Sequence, residues 1–314
     1  MMNYYQINET KGILNKGSEA GNWLVLEQAT AEEQEKVIHD YELPEDIFSA
    51  SDEAEEISQY EQIENDKLGR VTILSLTNLS ADTEKSIEER LEPLIFIWSE
   101  SIIITYVGDR SEFSERFIDK YAKQVTSLEK LCAYVILMIY THYIKELLEI
   151  KKTIDDLDRA ARKTTENEEL FRLADTKRNV VYLDHTLRGQ EKTLDYLWHE
   201  TDMEEKLNDK KLLYNIKLRQ AHAEELITIY RDLLETVGGL FGDMMDNNLN
   251  HLMKYLDSAA LLISIPALIS GIWGMNTGGL PGKGSNIGFF IVIIISIIVT
   301  TLVAIHLKRK DYTK

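Results

Sequence analysis

The chain has 314 residues, room for one to three domains and an ample buried core. It carries 53 acidic against 35 basic residues, a net charge of −18, which excludes the basic face that nucleic-acid binding requires. Such acidity suits a body that repels anions and draws cations, although solubility alone accounts for most single carboxylates.

At the start of the chain, Met1–Glu9 has neither a basic region nor an apolar core, so no secretory signal is expected there. Residues 1–120 read as a cytoplasmic α+β domain. Short stretches rich in β-branched and aromatic residues predict strands at Met1–Ile7, Trp23–Glu27, Val71–Leu76, Leu94–Trp98 and Ile102–Val107. Thr30 with Glu33 makes a capping box that opens a helix running to about Tyr41, before Pro44. The segment Glu42–Asp66 is densely acidic, and a solvated surface helix is the plain expectation. Within it Asp52, Glu53, Glu55 and Glu56 are candidate ligands for a cation.

Glycine and proline then almost vanish. Between Asp109 and Val237 only Gly189 occurs, which predicts long helices at Phe113–Thr165, at Glu168–Thr201 and from about Met203 onward. Residues 121–202 are therefore taken as cytoplasmic antiparallel helices, and 203–276 as a stalk helix that continues into a span. Cys132, alone in the chain, sits in the apolar run Leu131–Tyr140; it excludes an internal disulfide framework and fits a reducing compartment. The third helix, continuous to Met275, would have 73 residues and a length of about 110 Å. Leu226, Tyr230, Leu233, Val237, Leu240 and Met244 alternate spacings of four and three, a heptad seam that calls for a partner helix. Gly238, Gly239 and Gly242 interrupt it, each costing about 1 kcal/mol relative to alanine. Close packing is the plain explanation, and a flexible point in a moving stalk the sharper one.

Two uncharged runs follow, Ser258–Met275 and Gly288–Leu307, the second interrupted only by His306. Twenty helical residues reach about 30 Å, the depth of a bilayer's hydrocarbon core. Lys254 precedes the first run and Lys308, Arg309, Lys310 and Lys314 follow the second, whereas the connecting loop holds only Lys283. The positive-inside rule thus places both termini in the cytoplasm. The expectation is a multi-pass protein of the cell membrane: an extracytoplasmic loop at 277–286, a second transmembrane helix at 287–307 and a basic tail at 308–314.

The first span has a face of its own. Met253, Asp257, Ala260, Ser264, Ala267, Gly271 and Gly274 recur at alternating spacings of four and three, and from Ala260 on every member is small. Such a row is either a helix–helix contact face or the narrow wall of a pore built from several copies. Two spans cannot enclose a path alone, so a pore requires oligomerisation. No Walker loop, G-x-G-x-x-G or G-x-S-x-G occurs, and the seven histidines show no H-x-x-x-H spacing. No enzymatic activity and no organic cofactor are expected.

Here the residues acquire a family likeness. Asn247–Asn248–Leu249–Asn250–His251–Leu252–Met253–Lys254, the apolar span, Gly271–Ile272–Trp273–Gly274–Met275–Asn276, one more span and a basic tail together resemble the CorA family of divalent-cation (Mg²⁺/Co²⁺) transporters. The similarity is strongest over 240–314, and the order of elements upstream agrees. The resemblance implies a funnel-shaped homopentamer that carries Mg²⁺, and often Co²⁺ or Ni²⁺, across the bilayer into the cytoplasm. By position, Asn276 would form an outer selectivity ring shaped by Gly274 and Met275, and Asn250, Met253 and Leu256 would line the cytoplasmic end. Mg²⁺ dehydrates reluctantly, and carboxamide oxygens can accept hydrogen bonds from its waters without stripping them. Neutral amides also hold loosely enough to release the ion, while rings of Met253 and Leu256 could close by dewetting. The inside-negative potential would supply about 4.6 kcal/mol for two charges at about 100 mV. The resemblance further implies gating by intracellular Mg²⁺ held on carboxylates between cytoplasmic domains, for which Asp52, Glu53, Glu55, Glu56 and the stalk acids are the candidates.

Three departures stand out. The loop Thr277–Gly278–Gly279–Leu280–Pro281–Gly282–Lys283 has no carboxylate and is similar to the ZntB branch, associated with Zn²⁺. Asp257 stands where the family commonly has threonine, either at the membrane interface or as an added cation-attracting ring. Pro266 lies one residue from its usual place. The alternatives are therefore a Zn²⁺ transporter, with or without proton coupling, and a membrane-anchored oligomeric sensor or structural protein.

Overall fold

The computed structural model describes residues 2–15, 21–48, 58–80, 85–108, 113–163, 167–275, 282 and 285–309. Strands β1 (Met2–Asn8), β2 (Gly12–Asn15), β3 (Trp23–Glu27), β4 (Gln59–Asn65), β5 (Gly69–Leu79), β6 (Leu91–Trp98) and β7 (Ile103–Val107) form one seven-stranded sheet. Its order is β2-β1-β3-β7-β6-β5-β4. The helices are α1 (Ala31–Tyr41), α2 (Ile87–Arg90), α3 (Phe113–Tyr121), α4 (Leu128–Ala161), α5 (Asn167–His199), α6 (Met203–Leu207), α7 (Lys210–Gly274) and α8 (Asn286–Arg309). Contacts divide the chain into one unit of Met1–Arg159 with Asn167–Val237 and a second of Ala160–Glu166 with Gly238–Lys314.

In the first unit β3 and β7 pair in parallel, Trp23 opposite Ile103, and the other pairings are antiparallel. Side chains alternate between the two faces. Leu24, Leu26, Val71, Ile95, Ile97, Ile104 and Tyr106 share a buried core with Val37 of α1 and with Leu43, Ile47 and Phe48 after it. On the opposite face Trp23 lies 6.0 Å, ring to ring, from Phe117 of α3, and its Nε1–H donates to Thr105 Oγ1 at 3.0 Å. Covered on both sides, the central strands read as continuous apolar runs, which is why β3, β6 and β7 are legible in the sequence. The capping box of Thr30 and Glu33 is present as expected, and α1 ends where Glu42 turns left-handed at φ 53°.

The acidic stretch departs from expectation. Its described end, Gln59–Asn65, is the edge strand β4, not a helix, and pairs with β5 from Gln59 opposite Ser75 to Asn65 opposite Gly69. Asn65 builds the turn, its Oδ1 accepting from the N–H groups of Lys67 at 2.9 Å and Leu68 at 2.8 Å. Charged residues on such an edge discourage pairing with other chains, so acidity here marks an edge strand. Asp52, Glu53, Glu55 and Glu56 lie outside the described residues. The short α2 also escaped the reading, although Ser86 and Glu89 form a second capping box.

The helices are cut more finely than expected. Residues 122–127, with neither glycine nor proline, separate α3 from α4, and the Ser127 hydroxyl caps α4 by accepting from Lys130 N–H at 3.2 Å. Asn208, at φ 44°, ends α6; Asp209 then caps α7, whose 65 residues measure about 98 Å. The first part of α7 packs inside the first unit with α4 and α5, and Arg231 reaches Asp184 of α5 at 3.5 Å. The seam is also rotated. Leu213, Ile216, Gln220, Ala223, Ile227, Tyr230, Leu234 and Val237 are the buried residues at three- and four-residue spacing. Tyr230 and Val237 stand as expected, whereas Ile227 and Leu234 replace Leu226 and Leu233. Apolar residues are adjacent at both positions, and the heptad period alone cannot choose between them.

Three described helices are long and apolar enough to cross a membrane. For α4, 61% of the apolar window is buried inside the protein, against 6% for α7 and for α8. The apolarity of α4 thus serves the core, and Cys132 lies within it, fully buried, its thiol pushed far up by desolvation. Beside that core the Arg90 guanidinium meets Glu146 at 2.6 Å and donates from Nε to Ser80 O at 3.1 Å. Next to the pair His142 Nδ1 lies 3.3 Å from Asn78 Oδ1. Burial, with Lys120, Arg116 and Lys145 adding repulsion, brings the His142 imidazole down to about 4 and keeps it neutral at physiological pH.

Candidate ion path

In the second unit α7 and α8 present an apolar surface that no other part of the described chain covers. Leu252, Leu256, Leu261, Ile263, Leu268 and Ile272 of α7 are exposed, as are Phe289, Phe290, Ile294, Ile297 and Leu302 of α8. A water-soluble monomer rarely exposes contiguous apolar surface on this scale. A bilayer is the solvent that accepts it.

Within this surface α7 has two distinct rows. Ser258 is buried, and Leu262, Ile265, Pro266, Ile269 and Trp273 are half-buried toward α8. Between the two helices lies a groove of about 470 Å³ lined by Pro266, Ala267 and Ser270 of α7 and by Ser296, Thr300 and Thr301 of α8, so Ala267 stands at its edge. The other row is the expected face of Met253, Asp257, Ala260, Ser264, Ala267, Gly271 and Gly274, all exposed, as are Asn250, Leu256 and Met275, the residues named by resemblance. At about 100° per residue the rows centre about half a turn apart. A Cβ added at Gly271 or Gly274 would meet nothing within 4 Å. Packing within the chain therefore does not explain why these positions are small. The same open space surrounds Gly239 and Gly242, which removes close packing within the chain as the reason for them.

Asp257 is set by length. It precedes Gly274 by 17 residues, about 26 Å of helix, close to the depth of the hydrocarbon core. This spacing separates the two residues by about the depth of the core, so that with Gly274 at one interface the carboxylate reaches the other and escapes the cost of about 2.5–3.5 kcal/mol of a mid-span charge. Asn276 lies outside the described residues, as does the loop after it apart from Gly282. Among the described residues no group of three or more His, Cys, Asp or Glu side chains is placed to hold a metal ion.

One close backbone contact escaped the sequence reading. Gly288 in the first turn of α8 touches Gly282, so that a Cβ on Gly288 would fall 2.2 Å from Gly282 O. Gly282 itself has φ +79°, and its O accepts from Ser285 N–H at 3.0 Å. The signal was two glycines six residues apart around a turn. Gly288→Ala is expected to cost about 1–3 kcal/mol, as overpacked sites do, visible as a lower melting temperature of the detergent-solubilised protein.

A seven-stranded sheet with its helices, one long helix and two lipid-compatible apolar helices define the class of a membrane protein. Residues 18–309 match the family model described as CorA-like Mg²⁺ transporter protein, and the chain belongs to that family. The cobalt/magnesium transport protein CorA of Methanocaldococcus jannaschii is 19% identical over 186 residues, which cover 58% of this chain and 57% of that one. The chain thus spans about half the length of the curated relatives it matches. The complete structure of the CorA magnesium transporter from M. jannaschii superposes with a TM-score of 0.78 at 15% identity, covering 98% of both chains. The ZntB cytoplasmic domain from Vibrio parahaemolyticus gives a TM-score of 0.54 at 14% identity, over 78% of this chain and 96% of that one. These likenesses show the fold.

Proposed function

We propose that several copies of this chain, five by family resemblance, assemble into a funnel-shaped divalent-cation channel that carries Mg²⁺ into the cytoplasm. The observation that carries this reading is the exposed small-residue row Ala260–Ser264–Gly271–Gly274, centred on the side of α7 away from its groove with α8, with Ala267 at the groove's edge and open space around Gly271 and Gly274. Copies of the row facing one axis would make a narrow path. Asn276, shaped by Gly274 and Met275, would close its outer end with carboxamides, and Asn250, Met253 and Leu256 its inner end. Asp257 at the inner interface would add a ring of negative charge that concentrates cations. Such a ring costs little when it faces water. Both termini would lie in the cytoplasm, and cytoplasmic Mg²⁺ would act on the gate through carboxylates of the soluble units.

A second reading has a specific support. The loop beginning Thr277–Gly278–Gly279–Leu280–Pro281 lacks a carboxylate, and the ZntB cytoplasmic domain shares the fold of the first unit. On that reading the cargo is Zn²⁺. Flux into proteoliposomes under an inside-negative potential separates the two, with Mg²⁺, Co²⁺ and Zn²⁺ supplied in turn. Mg²⁺ flux driven by the potential alone is expected. Zn²⁺ flux without Mg²⁺ flux selects the second reading, and no divalent flux leaves an oligomeric sensor.

A further inference from the structure

A polar layer crosses the helices of the first unit where a leucine layer would be expected. On α5 the buried seam runs Leu183, Leu187, Gln190, Leu194, Leu197, and on α7 it runs Ile216, Gln220, Ala223, Ile227. Gln190 is completely buried, yet neither its Oε1 nor its Nε2 meets a hydrogen-bond partner. The Tyr140 hydroxyl of α4 and Glu224 Oε1 of α7 are buried atoms in the same condition. Electrostatic and ring contacts link the three helices here. The Tyr140 phenol feels Glu224, Glu191 and Asp195, and its ring lies 6.3 Å from that of Tyr143. Tyr143 adjoins Gln190 but spends its hydroxyl proton on Thr77 O at 2.8 Å.

Each buried polar group left unserved costs about 1–3 kcal/mol, so the mixture of donors and acceptors identifies what serves them. Tyr140 Oη–H and Gln190 Nε2–H are donors, whereas Gln190 Oε1 and Glu224 Oε1 are acceptors. A bare cation would satisfy the oxygens and leave the amide donors unpaired. An apolar ligand would satisfy none. Water donates and accepts, with about three bonds per buried molecule.

We propose that Tyr140, Gln190 and Glu224 enclose an internal water site through which Glu224 takes up and releases a proton, so that the packing of α7 against α4 and α5 responds to cytoplasmic pH. The surroundings set the direction. Burial first, then Glu191 and Asp195 of α5, hold the Glu224 carboxyl above the usual carboxylate range, against a hydrogen bond from Gln220 one turn earlier. From α4, Tyr140 and Tyr143 stay neutral, both pushed far up by burial. A carboxyl raised in the folded state favours packing while protonated. Its contribution is complete below the unfolded value and is lost as pH rises through the folded one. Acidification therefore tightens the layer, and a rise in pH loosens it.

The test uses the full chain in lipid nanodiscs. Infrared difference spectra on acidification should show a protonated-carboxyl band that titrates above the ordinary glutamate value and is lost in Glu224→Gln. In Gln190→Leu, which removes two of the water's partners, the band should shift in frequency. Amide exchange over α5 and α7, corrected for intrinsic rates, should slow as pH falls in the parent chain and lose that dependence in Glu224→Gln. The near-isosteric glutamine keeps the fold, so the comparison stays decisive. The absence of any band sensitive to Glu224→Gln, an unshifted band in Gln190→Leu, or equal pH dependence of exchange in both proteins would each overturn the proposal. None of these readouts depends on ion transport.

Discussion

Asn276→Ala is expected to remove most of the proposed Mg²⁺ flux while leaving the protein folded and in the membrane. The expected size follows from the proposed ring. Each carboxamide contributes hydrogen bonds of about 0.5–1.5 kcal/mol to the waters of the passing ion. Five of them at the low end sum to about 2.5 kcal/mol, close to 10²-fold in rate. Flux into proteoliposomes measures it, with thermal stability in detergent as the control for folding. Unchanged Mg²⁺ flux in the variant would sink the ring mechanism. A parent protein that carries Co²⁺ or Zn²⁺ but no Mg²⁺, and loses that flux in the variant, would move the cargo assignment and keep the ring.

Glu146→Leu should cost about 3–5 kcal/mol, the penalty for leaving one partner of a buried ion pair alone. Arg90 keeps only 7% of its side chain exposed, and besides Glu146 at 2.6 Å it donates to Ser80 O. With the carboxylate gone the guanidinium stays charged, because arginine does not deprotonate in proteins. The double variant Arg90→Met with Glu146→Leu should recover most of the loss, since apolar replacement of a buried pair is often neutral or stabilising. Denaturant or thermal unfolding of the four proteins gives the coupling directly. Additive losses in the double variant would mean that the two side chains do not act as a pair.

The ends of this molecule were more legible than its middle. The α1 capping box and the five expected strands depend on local chemistry, which composition and spacing record. The two lipid-exposed spans are legible for a related reason: a continuous apolar run has few other uses. β4 was misread because its exposed glutamates look like a solvated helix until β5 supplies a register. The break between α3 and α4 carries no glycine or proline, so only packing against the sheet reveals it. The α7 seam shows the limit of periodicity: Leu226 and Ile227 fit the heptad equally, and α4 and α5 decide which is buried. At the proposed ion path the small-residue row was visible as a pattern. Its meaning needed the finding that α8 takes the opposite side of the helix and leaves Gly271 and Gly274 open.

The burial of α4 also bears on how the chain is made. Its apolar stretch, in Leu128–Ala161, would qualify as a membrane segment by length and composition, and it leaves the ribosome before the two exposed apolar stretches of α7 and α8. From Ala161 to Ser258 is 97 residues, about 5–20 s of synthesis at roughly 5–20 residues per second. Mixed α/β domains of modest size fold within about milliseconds to seconds. The sheet and α5 thus have time to enclose α4 before the exposed apolar end of α7 emerges. The order of elements along the chain protects its topology: the segment that resembles a span is hidden by the time an insertion machinery needs to choose.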